Sequence, residues 1–155
     1  MFAIDHKAVD DDIRPEGEYE CIIEDARQSV TRSGAHCIEV CMKVRSDVEN
    51  PRGGKIFYNI WMAKNPNRAD VACEGYLSAW IQKLSKVSGI PNGKNYESID
   101  EWCRDLAGRP VRAKVIHKEY NGRINAKVDT VNETKFPLNP DFVPPSDDDD
   151  NDVPF

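Results

Sequence analysis

Asn121 and Gly122 constrain this chain more than any other pair of residues. An Asn-Gly pair between two alternating runs is the preferred two-residue connection of a β-hairpin, because both central positions of a type I′ turn need positive φ. Counting outward from the turn sets the register: Tyr120 faces Arg123, Lys118 faces Asn125, His117 faces Ala126 and Val115 faces Val128. One hairpin face is then Ala113, Val115, His117, Ile124, Ala126 and Val128, mostly apolar and suited to a core. The other is Arg112, Lys114, Ile116, Lys118, Tyr120, Arg123 and Lys127, which gathers five bases beside one tyrosine with only Asp129 opposing them locally. A merely solvated face mixes signs more evenly. This face therefore reads as a surface for a polyanion.

The preceding chain is punctuated in the same way. After Pro15–Gly17, Tyr19, Cys21 and Ile23 alternate with Glu18, Glu20 and Glu24, the pattern of a half-buried strand over 18–26. Its three glutamates read as a solvated face rather than a metal site, since no further acid or histidine is placed to complete a coordination shell. A polar loop over 27–34 leads to a second strand over 35–45, with Ile38, Val40, Met42 and Val44 on one side and Cys37, Glu39 and Cys41 on the other. Those two cysteines lie too far apart along a strand to hold zinc by themselves. The turn cluster over 50–54 opens a third strand over 55–62, with Phe57, Asn59 and Trp61 on one face and Ile56, Tyr58, Ile60 and Met62 on the other. Aromatics on both faces require that the second face be covered by a neighbour or offered to a ligand.

From Asp70 the apolar period changes to three and four. Cys73, Leu77, Trp80, Ile81, Leu84 and Val87 predict one helix, closed by Gly89 and Pro91. Ser98 and Glu101 form the capping box of a shorter helix striped by Ile99, Trp102, Cys103 and Leu106. Both stripes, with Trp80 and Trp102, are expected in the core. The resulting order is three strands, a helical insert and two strands. The expected fold is mostly β: a five-stranded antiparallel OB-fold barrel with its helices between the third and fourth strands, the competitor being a small sandwich.

A length of 155 residues and a hydrophobic fraction of 39% suit one domain with a real core, expected over 15–136 behind an N-terminal arm at 1–14. The Pro-rich and acidic remainder, 137–155, is expected to stay unfolded, because a run of like charges repels itself. The net charge of −6 conceals a polarity, since 139–155 holds six aspartates and no Lys or Arg, and 1–12 holds four aspartates and one lysine. Without those ends the body carries 17 acids against 20 bases. A mildly basic body between acidic ends suits binding to a polyanion, with an end that imitates one. Five cysteines without a CxxC spacing argue against a disulfide framework and for a reducing compartment. The longest apolar run is only Ile60–Ala63 and no basic-then-apolar leader opens the chain, so a cytoplasmic location without membrane contact is expected.

The last nine residues read DDDDNDVPF: Asp147, Asp148, Asp149, Asp150 and Asp152, then Val153, Pro154 and Phe155. An apolar plug on a carboxylate fits a pocket with a basic rim. This ending resembles the C-terminal tip of bacterial and phage single-stranded DNA-binding proteins, in which an aspartate run precedes an apolar residue, Pro and Phe. Val153 stands where the bacterial tip commonly has isoleucine. The resemblance implies a tail that recruits replication and recombination enzymes and competes with DNA for the protein's own basic groove. The strand and helix order likewise looks like the OB-fold domains of phage single-stranded DNA-binding proteins, which would place the protein in the cytoplasm of a bacterial host.

What the resemblance implies is a sequence-independent protein that coats and protects single strands during replication, recombination and repair. Phosphates would be held by Arg112, Lys114, Lys118, Arg123 and Lys127, with Arg32 on the first loop as a clamp. Tyr120 and one of Phe57 or Trp61 would receive bases, each stacked base contributing roughly 1–3 kcal/mol. No cofactor, metal or catalytic residue is expected. Gly53, Gly54 and Lys55 lack the upstream glycine and following Ser or Thr of a phosphate loop, and neither HExxH nor a nucleophile elbow occurs. Glu133–Lys135 supplies the ExK piece of a nuclease, but Pro140 and Asp141 follow it instead of preceding it. The alternative is an interaction module that binds no DNA and recruits through its acidic tail. The polar faces of the first two strands are either solvated or the surface of a homodimer.

Overall fold

A computed structural model describes residues 1–4 and 13–138. Five strands form one antiparallel sheet: β1 (Gly17–Val30), β2 (His36–Val44), β3 (Lys55–Trp61), β4 (Pro110–Tyr120) and β5 (Arg123–Asn132). Their order is β3-β2-β1-β4-β5. Between β3 and β4 lie α1 (Arg68–Ala72), α2 (Ser78–Val87) and α3 (Ile99–Leu106). No described helix is long and apolar enough to cross a membrane.

The expected alternation builds the core. Tyr19, Cys21 and Ile23 of β1 share one buried face of the sheet with Ile38, Val40 and Met42 of β2 and Val111 and Ala113 of β4. Ile81, Leu84, Trp102 and Leu106 cover this face from the helices. Each fully buried large apolar side chain contributes roughly 1.5–3 kcal/mol, so this layer dominates stability.

Two bulges set the curvature. In β1 the pairing passes from Ile23↔Met42 to Asp25↔Cys41, which leaves Glu24 as the extra residue. The slip turns Ala26 and Gln28 to the core side and lets the strand continue to Val30, beyond the end at 26 expected from alternation. A second slip between Lys114 and Val115 leaves Asp129 unpaired in β5. The hairpin otherwise has the register counted from its turn, and Asn121 and Gly122 have φ of 50° and 76°.

The expected closed barrel is not formed: among the described residues no ladder joins β3 to β5. The two edge strands approach, but α2 spans the gap between them. That helix packs on β5, while its Trp80 stacks on Tyr58 of β3 at a centroid distance of 5.9 Å. Trp80 is thus 41% exposed and forms a lid on β3, instead of being the core residue its helical stripe suggested.

The single helix expected from Asp70 to Val87 is broken. Glu74 and Gly75 have φ of 56° and 93°, and Tyr76 pairs with Met62 as an extension of the sheet. Tyr76 is fully buried, its hydroxyl donating to Gln28 Oε1 at 2.9 Å. Asp70 caps both sides of the break, accepting from Asn67 N at 3.1 Å and Ser78 N at 2.9 Å. The capping of α3 is as expected at Ser98, which accepts from Glu101 N at 3.1 Å, although Glu101 reaches back to Glu97 N. Trp102 Nε1 donates to Ser85 Oγ at 2.8 Å and ties α3 to α2.

Candidate nucleic-acid interface

The outer face of the sheet, opposite the core, carries nearly every residue singled out for binding. Its charges are not equivalent. Arg112, expected to contact phosphate, is held inside the fold: its Nη1 donates to Glu18 and its Nε to the Glu133 carbonyl at 3.2 Å. Lys135 Nζ meets the other oxygen of Glu18 at 3.2 Å. Lys135, then Arg112, hold the Glu18 carboxyl below its ordinary value.

These contacts belong to a strap. After β5, residues 133–136 fold back over β1, where Thr134 Oγ1 donates to Glu20 and Lys135 N donates to the same carboxylate at 3.3 Å. Arg45, buried and bidentate on Asp47 at 2.7 and 2.9 Å, donates to the Phe136 carbonyl. Glu20 and Ile22 are consequently buried. Of the β1 glutamates expected on a solvated face, Glu20 is therefore buried, while Glu18 stays exposed. Glu24, at the bulge, pairs with Lys55 at 3.1 Å.

Lys114, Lys118, Arg123 and Lys127 differ from Arg112. Each is exposed, and none makes an ion pair among the described residues. From His117 to Lys127 both faces of the hairpin are exposed, so its distal half projects as an arm with Tyr120 71% and Ile124 47% accessible. Only the proximal half of its apolar face, Ala113, Val115 and Val128, serves the core. The arm is braced at its base, where His117 Nε2 lies 2.8 Å from the Arg14 carbonyl and His117 N donates to Glu16 at 2.7 Å. Arg14 is itself fixed, its guanidinium 5.2 Å from the centre of the Tyr19 ring and donating to the Lys55 carbonyl at 3.2 Å. The expected loose arm therefore ends before this residue.

The aromatic candidates occupy another part of the same face. Phe57 is 56% and Trp61 37% exposed. Cys41 and Cys37 lie directly opposite them in β2, and burial pushes both thiols up. Tyr58, on the core side, is covered by Trp80 and has its hydroxyl pushed up to about 12 by burial. Register separates the two groups along β1: Trp61 aligns through Cys37 with Ser29, whereas Lys114 aligns with Glu18, eleven residues earlier. Arg32, exposed in the β1–β2 turn, lies at the Trp61 end. The structure thus brings Arg32, Phe57 and Trp61 towards one end of the face and the hairpin cations with Tyr120 towards the other.

A family of proteins of unknown function, DUF669, matches residues 3–143. The chain belongs to the DUF669 family. No curated protein matches it. The tail of this DUF669 chain, Asp147–Phe155, lies outside the described residues. Sequence reasoning missed the strap, because Glu133–Phe136 carries neither periodicity nor a turn signal, and it missed the Arg112–Glu18 pair, which depends on β1 lying beside β4.

Proposed function

We propose that this protein is a sequence-independent single-stranded DNA-binding protein that coats strands during DNA replication and recombination and recruits partner enzymes through its acidic tail. The observation that carries this reading is the hairpin, with Lys114 at its base and Lys118, Arg123 and Lys127 on the arm all exposed and without ion pairs among the described residues, and with an exposed tyrosine at its tip. Exposed Phe57 and Trp61 on the same side of the sheet supply the rings on which bases stack. The strand order, with β1 between β2 and β4 and helices after β3, supports a partly open OB-type barrel. In that architecture oligonucleotides lie on the β2–β3 face and between the β1–β2 and β4–β5 loops. Arg32, Phe57, Trp61 and the arm occupy those places.

The strap adds a geometric argument for the tail. It fixes the chain at Phe136 on the outer face beside β1, and Asp147 follows eleven residues later. Such a tether spans up to about 36–40 Å, enough to bring the aspartates to the hairpin. Deleting 147–155 is accordingly expected to tighten DNA binding at low salt, whereas Phe155→Ala leaves it unchanged and abolishes recruitment.

The test is binding of the full chain to a labelled oligo-dT, compared with a variant in which Lys114, Lys118, Arg123 and Lys127 are all replaced by Gln. Saturable binding by the native chain and at least a hundredfold loss in the variant is expected. Absence of binding by the native chain would leave the interaction module with an acidic recruiting tail.

A further inference from the structure

Asn59 lies between Phe57 and Trp61 on the same face of β3. Its side-chain amide makes no hydrogen bond among the described residues, and its Oδ1 is buried without a partner. Its cross-strand neighbour Glu39 cannot serve Oδ1, because an ionised carboxylate has no hydrogen to donate. An orphaned amide costs about 1–3 kcal/mol and ordinarily has an explanation. Here the explanation is suggested by its neighbours: at about 3.3 Å per residue, each exposed ring stands roughly 6.6 Å along the strand from Asn59. A planar group resting on either ring would turn its edge towards the amide.

We propose that Asn59 is a base-contacting residue, its amide pairing with the donor and acceptor edge of a nucleobase stacked on Phe57 or Trp61. The proposal rests on the single-strand reading above and deepens it by assigning a polar contact between the two rings. A carboxamide presents an acceptor beside a donor, and every nucleobase edge offers the complementary pair; the amide can rotate to suit either order. Such a contact adds affinity for bases over bare backbone without imposing a sequence. Contact with Oδ1 requires the groups that cover it to shift when a base binds.

Thymine allows the stacking and the hydrogen bond to be separated. An oligomer of N3-methylthymidine keeps the phosphates and the π-face but loses the N3–H donor. The native full chain is expected to bind it about fivefold more weakly than oligo-dT, the consequence of one hydrogen bond. In Asn59→Leu, an isosteric replacement, the two oligomers should bind alike, at the level of the methylated oligomer on the native chain. The melting temperature should be unchanged or higher, because an unsatisfied amide has been removed. Asn59→Val, favourable in a strand, replaces the leucine variant if that one folds poorly. Equal affinity of the native chain for both oligomers would overturn the proposal, as would a difference that persists without Asn59; in either case single-strand binding itself would stand. Failure of the native chain to bind oligo-dT at all would remove the underlying reading and this one together.

Discussion

Asp105 accepts from three side-chain donors, Lys94 Nζ at 2.7 Å, Arg109 Nη2 at 3.1 Å and the Tyr96 hydroxyl. Lys94 above all holds it well below the usual carboxylate range. A carboxyl depressed in the folded state stabilises above its unfolded value, near 3.9, and loses that contribution as pH falls through its folded value. Asp105→Asn should therefore cost about 1–2 kcal/mol at pH 7, with the gap to the native chain closing below about pH 4. Thermal melts of both proteins across that range test it. The same reasoning separates two bases of one strand. Arg112→Ala, which leaves Glu18 with Lys135 as its one cationic partner among the described residues and frees the Glu133 carbonyl, should lower the urea midpoint measurably. Lys114→Ala should stay within about 0.5 kcal/mol, its effect appearing in DNA binding instead. Sequence could place both residues on one face, but it could not tell which was engaged, because the engaging acid lies on a strand almost a hundred residues away.

Alternation was enough to assign the faces of β2, β3 and the hairpin, because a period of two with one buried side leaves little freedom of register. It did not expose the bulge at Glu24, which costs one residue of register and has no compositional mark. The break between α1 and α2 was masked for a related reason. Cys73, Leu77 and Trp80 keep helical spacing across it, so the apolar period carries no sign of the break at Gly75. Its φ of 93° makes it the hinge, and a Cβ there would lie 2.9 Å from the sulfur of Met62, a flexible side chain. The strain is thus mainly in the backbone. Gly75→Ala should destabilise by about 1–2 kcal/mol, whereas Gly53→Ala, free of positive φ and of close neighbours, should be nearly neutral. Chemical denaturation of the pair distinguishes a strained break from an ordinary helix interior.

Across the whole molecule, the charge separation legible in the composition acquires a geometry: an arm of cations without ion pairs among the described residues on one side of the sheet, and a strap over 133–136 on the same side. The strap could not be anticipated, since it exists only where Arg45, Glu18 and Glu20 from distant strands meet residues 133–136. On the proposed reading these features are joined, because a phosphate backbone would compete with the aspartates for the same bases and both interactions would weaken with salt.

The affinity of the full chain for oligo-dT as a function of salt tests this account most directly. Four phosphates neutralised by Lys114, Lys118, Arg123 and Lys127 predict a slope of log affinity against log salt near −2.8, and participation of Arg32 moves it towards −3.5. Saturable binding with a slope in that interval, and between about −0.7 and −1.4 after Lys114, Lys118 and Arg123 are all changed to Gln, is the expected result. A slope near zero, or binding to duplex as strong as to the single strand, would contradict the assignment of the hairpin arm as a single-strand phosphate site.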